Sequence, residues 1–213
     1  AALAEFGADM LVVQYHPGFM NRGDVEQFVR GAAGLGIATR MVVHSFTEAD
    51  APLMRCLAAF GCGLYSHSPT EVGRARAAGV PLVHFPMPVE GRPLAPAVRD
   101  RASGPRVVAN GFMRRYKGFR HLIDAMPAIL EGYPDATLAL YVPPYPAPDS
   151  DEERMACLRR VEQLGLGGTV TIDATFHEHR ELLDRIAEAD LAVLPYEESR
   201  EGGSAAAGDC IAA

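Results

Sequence analysis

The sequence predicts an α/β fold made of two units, each built on a parallel sheet, and three observations carry that reading. Short apolar runs alternate with amphipathic stretches along the whole chain, at the spacing of strand–helix–strand units rather than hairpins. The apolar runs are rich in β-branched residues and end at Gly or Pro, which suits buried strands. One proline-bearing segment without either period divides the series in two.

The first strand is expected at Met10–Tyr15, an apolar run that stops before Pro17-Gly18. An amphipathic stretch, Val25–Leu35, leads to a second strand at Ala38–His44. Glu48–Phe60 reads as a helix, Gly63–Ser66 as a strand, Thr70–Ala78 as a helix and Leu82–Phe85 as the closing strand of this unit. From Phe85 to Pro105 the periodicity lapses, and Pro86, Pro88, Pro93, Pro96 and Pro105 mark an interdomain crossing. The expected domains are therefore residues 1–88, a linker over 89–104 and a second unit over 105–213, each unit near the lower end of normal domain size. In the second unit the strands are Arg106–Asn110, Thr137–Val142, Thr169–Ile172 and Leu191–Leu194. Phe119–Glu131, Glu152–Leu164 and His179–Ala189 are its helices, and Ser204 opens a further alanine-rich helical stretch. Parallel sheets covered on both faces follow from that alternation. The proline cluster Pro143–Pro148 reads as a strand-to-helix loop.

Composition narrows the function classes. Hydrophobic residues make up 48% and charged residues 22% of the 213, enough to bury a sizeable core. With 27 acidic against 20 basic side chains, nucleic-acid binding through an overall positive field is excluded. No apolar run approaches the roughly 18 residues needed to span a bilayer. The chain begins Ala1-Ala2, so an upstream leader is left open. Cys56, Cys62, Cys157 and Cys210 lack CxxC spacing and read as buried, reduced thiols, which points to the cytoplasm.

Two loops carry the chemistry. Asn110-Gly-Phe-Met-Arg-Arg-Tyr-Lys-Gly-Phe119 follows the first strand of the second unit. Gly111 permits a tight turn, and Arg114, Arg115 and Lys117 crowd the start of the next helix. Three cations there oppose the helix dipole unless an anion is to be bound, and guanidinium with ammonium suits a diphosphate. After the strand at Leu191–Leu194 comes an acidic, glycine-bearing loop with Glu201, Gly202, Gly203 and Ser204, and Asp209 lies within the helix that follows. In a parallel sheet both loops lie at the carboxyl edge, where open α/β sheets bind ligands. Carboxylates accept from hydroxyls and the cationic loop suits phosphate, so a sugar nucleotide is the expected ligand.

These residues resemble the retaining glycosyltransferases of family 4, which have the GT-B fold of two Rossmann-like units facing a cleft. Gly-Phe-Met-Arg-Arg-Tyr-Lys-Gly118 is similar to that family's diphosphate-binding loop. Ala189-Asp-Leu-Ala-Val-Leu-Pro-Tyr196 with Glu201-Gly-Gly-Ser-Ala-Ala206 is similar to its E-x7-E region. At lower specificity Gln14–Gly18, Met41–Ser45, Tyr65–Glu71 and Phe85–Gly91 match positions of the amino domain. The resemblance implies that Arg114 and Lys117 hold the donor diphosphate and that Glu201 contacts the transferred sugar, with the amides of Gly202 to Ser204 nearby. Asp209 then takes the second glutamate's place against the ribose, one methylene shorter, and Phe112 stands where the family has a cation. His44 matches the amino-domain histidine that reaches the donor sugar across the cleft.

The activity so implied is transfer of a sugar from a nucleoside-diphosphate sugar to an acceptor hydroxyl with retention of configuration. It needs no cofactor and no metal, since Arg114 and Lys117 stabilise the departing diphosphate. The acceptor class stays open among glycans, lipid-linked and small-molecule acceptors, with peripheral membrane association and oligomeric state open too. Rival readings are another GT-B enzyme, such as a phosphorylase or a sugar-nucleotide epimerase, and a non-catalytic sugar-nucleotide-binding or scaffolding relative. His177-Glu-His179 reads as exposed chemistry at the start of a helix, and Asp149–Glu153 as a solvated acidic helix start. His16 is a cleft-lining candidate, whereas His67, His84 and His121 show no partner spacing. Both units look incomplete, so the chain is expected to be an internal or truncated part of a longer enzyme.

Overall fold

A computed structural model describes residues 5–89, 104–197 and 204–213. The described residues divide into two compact units, residues 5–87 with Ser204 forming one and residues 88–89, 104–197 and 205–213 the other.

In the first unit the strands are β1 (Met10–Tyr15), β2 (Ala38–Val43), β3 (Gly63–Ser66) and β4 (Leu82–His84), all parallel and ordered β1-β2-β3-β4. They alternate with helices α1 (Arg22–Gly34), α2 (Ala51–Ala59) and α3 (Pro69–Ala77). Local chemistry fixes each helix start. Asn21 caps α1 by accepting from the amides of Gly23 and Asp24, and Ser68 caps α3 by accepting from Glu71. Pro69 sits in the first turn of α3, where a missing N–H costs nothing. The core packs Tyr15, Met41, Val43, Met54, Leu57 and Leu64, all at most 2% exposed.

One expectation about this sheet is corrected. Strands that step steadily in one direction through crossovers of one hand put every crossover helix on the same face. The second face is accordingly open among the described residues, and Met10 and Val12 of β1 are 55% and 54% exposed. Covering on both faces is met in the other unit only.

There the strands are β5 (Arg106–Asn110), β6 (Thr137–Tyr141), β7 (Val170–Asp173) and β8 (Leu191–Ala192), parallel and ordered β7-β6-β5-β8. Helices α4 (Phe119–Gly132) and α5 (Pro148–Gln163) join β5 to β6 and β6 to β7. Helix α6 (His179–Ala187) then carries the chain back past β6 and β5 to β8, and α7 (Ala205–Ala212) follows. Reversal of direction sends α6 to the face opposite α4 and α5. Phe119, Ile123, Met126, Leu138, Leu140 and Cys157 form the core beneath α4 and α5. Strand β8 is shorter than expected and is not buried: it ends at Ala192, and Leu191 at the sheet edge is 56% exposed.

The four cysteines are unpaired, with Cys62 and Cys157 buried. Burial pushes the Cys62 thiol up to about 11 and, helped by Glu153, that of Cys157 to about 12, so both are inert as nucleophiles. No helix of the described residues is long and apolar enough to cross a membrane.

Candidate functional site

The strand order of the second unit reverses between β5 and β8, and open α/β sheets present their ligand crevice at such a switch point. Val107 and Val108 pair with Leu191 and Ala192, so the loops leaving β5 and β8 emerge side by side at the carboxyl edge. Two contacts hold them together. The Glu197 amide donates to the Tyr116 carbonyl at 2.8 Å, and His121 Nε2 lies 2.9 Å from Glu197 Oε1.

Gly118 makes that proximity sterically feasible. It has φ +71° at the start of α4, and any Cβ placed there would overlap the Pro195 carbonyl oxygen. Gly111, with φ +124°, turns the chain directly after β5, where Ala206 of α7 lies 3.5 Å from its would-be Cβ. The first turn of α7 therefore closes on the loop after β5.

The three cations of that loop take different surroundings. Arg114 Nε meets Asp149 Oδ2 at 2.9 Å, and its guanidinium stacks 4.5 Å from the Tyr145 ring. Lys117 is 7% exposed, with Nζ 4.1 Å from the Tyr196 ring centroid and 5.2 Å from that of Tyr116. The ammonium is thus largely shielded from water and lies against tyrosine rings. Arg115 is exposed and turns to a groove beside α4 and α5.

Asp209 of α7 joins the site from the other side. Its Oδ2 accepts from Asn110 Nδ2 at 3.1 Å, and its Oδ1 lies 3.1 Å from His179 Nε2. Asn110 is fully buried at the end of β5, where the Cys210 thiol donates to its Oδ1 at 3.2 Å. Asp209 is thus fixed to the strand end rather than to a distant partner, and its two oxygens keep lone pairs beyond those in use. Ser204 immediately precedes α7. Glu201, Gly202 and Gly203 lie outside the described residues.

Three aromatic rings border the same edge, and sequence reading missed them as a group. Phe112 follows β5, Tyr145 follows β6 and Phe176 follows β7. Phe112 lies 5.4 Å from Tyr145 and 6.5 Å from Phe176 between ring centroids, and Phe112 and Phe176 are 41% and 75% exposed. Each stands alone in sequence, and only the parallel strand order assembles them.

His177 corrects the expectation of an exposed residue at a helix start. Its side chain is 7% exposed, with Nε2 2.8 Å from Asp173 Oδ2 and Nδ1 3.2 Å from Glu181 Oε1. Burial works against the Asp173 carboxylate, yet hydrogen bonds from Thr175 and His177 hold it below its ordinary range. His179, by contrast, is exposed and reaches Asp209. Among the described residues no group of three or more His, Cys, Asp or Glu side chains is placed to hold a metal ion.

In the first unit His44 directly follows β2, and its Nε2 lies 2.7 Å from Gln14 Oε1. Its ring centroid is 5.9 Å from that of His67, which follows β3 and bonds the Phe85 carbonyl at 2.8 Å. Burial, then the fields of His67 and His16, hold the His44 pKa down, so its imidazole is neutral at pH 7. His67 gave no spacing signal, because it meets His44 across adjacent strands. Glu71 anchors the loop between β2 and α2 beneath them: fully buried, it accepts from the Phe46 amide at 3.0 Å and from Ser66 Oγ at 2.9 Å.

Neither a family model nor a curated protein sequence matches the chain. Solved structures do. A UDP-forming α,α-trehalose-phosphate synthase from Burkholderia vietnamiensis is 15% identical with a TM-score of 0.65, over 99% of this chain and 56% of its own. Sucrose-phosphate synthase from Thermosynechococcus elongatus is 21% identical with a TM-score of 0.67, over 98% and 56%. A trehalose-6-phosphate structure from E. coli, bound with UDP-2-fluoro glucose, is 12% identical with a TM-score of 0.69, over 99% and 57%. The likeness is one of fold. The chain has the α/β architecture of GT-B glycosyltransferases, and it spans a little over half the length of these structures.

Proposed function

We propose that the protein is a glycosyltransferase that moves a sugar from a nucleoside-diphosphate sugar to an acceptor hydroxyl with retention of configuration, as in the family 4 enzymes. The observation that carries this reading is the switch point between β5 and β8. There Lys117, buried against tyrosine rings, and Arg114, held by Asp149, lie on the loop that leaves β5, and the carboxylate of Asp209 is bonded to Asn110 at the end of that strand. Cations for a diphosphate and an acceptor for ribose hydroxyls occupy one sheet edge, as a sugar nucleotide requires. The fold neighbours support it, since one is described as UDP-forming and another holds a UDP-sugar analogue.

Transfer from such a donor develops negative charge on the leaving diphosphate and positive charge on the sugar. Lys117 faces the first charge from a dry setting, where an ammonium stabilises an anion more than it would in water. Arg114, braced by Asp149 and Tyr145, presents a planar fork to the same phosphates. These two cations take the part that a metal ion plays elsewhere. Phe112, Tyr145 and Phe176 offer faces on which a nucleobase stacks. Glu201 and the amides of Gly202 to Ser204 hold the sugar hydroxyls in this reading. The leaving phosphate accepts the proton of the acceptor hydroxyl, so no protein base is invoked. Four unpaired thiols fit a reducing compartment such as the cytoplasm.

The test is turnover of a radiolabelled UDP- or GDP-sugar with the anomeric configuration of the product read by NMR. Lys117→Ala is expected to slow transfer at least a hundredfold with the fold intact, and unchanged turnover would sink the assignment. A second reading, a sugar-nucleotide binder without catalysis, is favoured by the Arg114–Asp149 ion pair, which already neutralises one of the two cations. Tight donor binding without any labelled product would select it.

A further inference from the structure

We propose that the groove between α4 and α5 is a second anion site, independent of the glycosyltransferase reading, that binds the dianionic phosphate of a phosphate monoester. The groove has a volume of about 430 Å3 and lies on the face of the sheet away from α6 and α7. Four of the chain's 20 basic side chains line it: Arg115, Arg120, Arg159 and Arg160. His121 adds an imidazole. Asp124 and Glu197 also line it, so the guanidinium groups outnumber the lining carboxylates by two, an excess that a bound anion would offset.

Two of the four arginines are already used. Arg120 of α4 bonds Glu153 of α5 at 2.8 Å, and Arg160 of α5 pairs with Asp124 of α4. These two ion pairs cross between the helices in opposite directions and brace the walls. Arg115 and Arg159 form no ion pair among the described residues, and both are exposed to the groove. One comes from the turn before α4 and the other from α5. Two uncommitted planar forks match a tetrahedral dianion better than a single carboxylate, because each fork can make paired hydrogen bonds to phosphate oxygens.

The groove is distinct from the donor site. Arg114 turns to Asp149 and Tyr145, and Lys117 is enclosed by Tyr116 and Tyr196, whereas Arg115 between them faces the other way. The groove nevertheless touches the same loops. Its end is closed by the His121–Glu197 pair, and the Glu197 amide holds the Tyr116 carbonyl.

The phosphate can belong to a soluble ester or to a lipid headgroup, and the test separates them. Calorimetric titration of the full chain with inorganic phosphate and glycerol phosphate is compared across Arg159→Ala, Arg115→Ala and Lys117→Ala. Affinity is expected to fall about tenfold in each arginine variant, as for loss of one charged hydrogen-bond pair, and to hold in Lys117→Ala. Sedimentation with phosphatidylcholine vesicles, with and without phosphatidic acid, is run alongside. Saturable binding of the soluble esters that depends on Arg159 assigns the site to a soluble ligand. Binding to phosphatidic acid vesicles alone, lost in Arg159→Ala, assigns it to a headgroup. Phosphate affinity that depends on Lys117 and ignores Arg159, or no binding in either format, overturns the proposal. Thermal melts confirm that the exposed substitutions leave the fold unchanged.

Discussion

Gly118→Ala should dismantle the joint between the two ligand-edge loops, and its cost can be worked out against an internal control. Gly118 and Gly165 hold nearly the same backbone conformation, φ +71° and +66°. For an L-residue the left-handed region costs about 1–2 kcal/mol, and that contribution is common to both substitutions. An alanine also loses less chain entropy on folding, which returns about 0.4–1 kcal/mol at each position. Only the surroundings differ. A Cβ at Gly165 meets nothing within 4 Å, whereas one at Gly118 collides with the Pro195 carbonyl and lies 3.0 Å from its carbon. A backbone group cannot rotate aside, so the loop after β8 must move, at about 1–3 kcal/mol for overpacking. Gly165→Ala is therefore expected to cost about 1 kcal/mol and Gly118→Ala about 2–4. Urea unfolding followed by circular dichroism gives the totals, and hydrogen exchange at Arg106–Asn110 localises them to the second unit. Gly118→Ala should also weaken nucleoside-diphosphate binding, which Gly165→Ala leaves alone. Equal losses in the two variants would show that the Pro195 approach does not constrain this loop.

Three further outcomes concern the first unit. Glu71→Ala strips the Phe46 amide and Ser66 hydroxyl of a buried acceptor, and urea unfolding should report a loss of about 2–4 kcal/mol. Asp50 is buried, which alone would raise its pKa, but bonds from Thr47, Arg22 and Tyr15 hold the carboxyl below its ordinary range. A depressed folded pKa gives stability that is present above the unfolded value of about 3.9 and lost as pH falls through the folded one. Asp50→Asn should flatten the acid limb of the stability–pH curve below about pH 4. Burial, followed by the charge of Asp50, pushes the Tyr15 hydroxyl up to about 12. Its contribution is complete below the unfolded value of about 10 and declines from there to pH 12, so Tyr15→Phe should remove that alkaline decline in thermal melts.

Most of the fold was legible because periodicity and punctuation agree locally. The observed strands β1, β3 and β5 coincide with the apolar runs, and Gly118 marks the start of α4 as expected. Helix α5 begins at Pro148, earlier than its apolar pattern, because proline is tolerated in a first turn where it ends a loop in sequence terms. The shortness of β8 was not legible: Leu191–Leu194 is apolar enough for a buried strand, but burial depends on which edge it occupies. The same limit explains the site. Arg114, Lys117 and Asp209 stand out by residue type and spacing, whereas the Phe112–Tyr145–Phe176 group and the His44–His67 pair arise only from strand order. His177 was misread because its two carboxylate partners, one on β7 and one on α6, look like solvated charges in sequence.

The central claim is that the edge between β5 and β8 is a nucleoside-diphosphate site built on Lys117. Calorimetric titration of the chain with UDP and GDP, repeated on Lys117→Ala, tests it most directly. The account predicts one-to-one binding of at least one of these nucleotides, weakened tenfold or more by the substitution with the melting temperature little changed. Binding of neither nucleotide, or equal affinity in the folded variant, would contradict it.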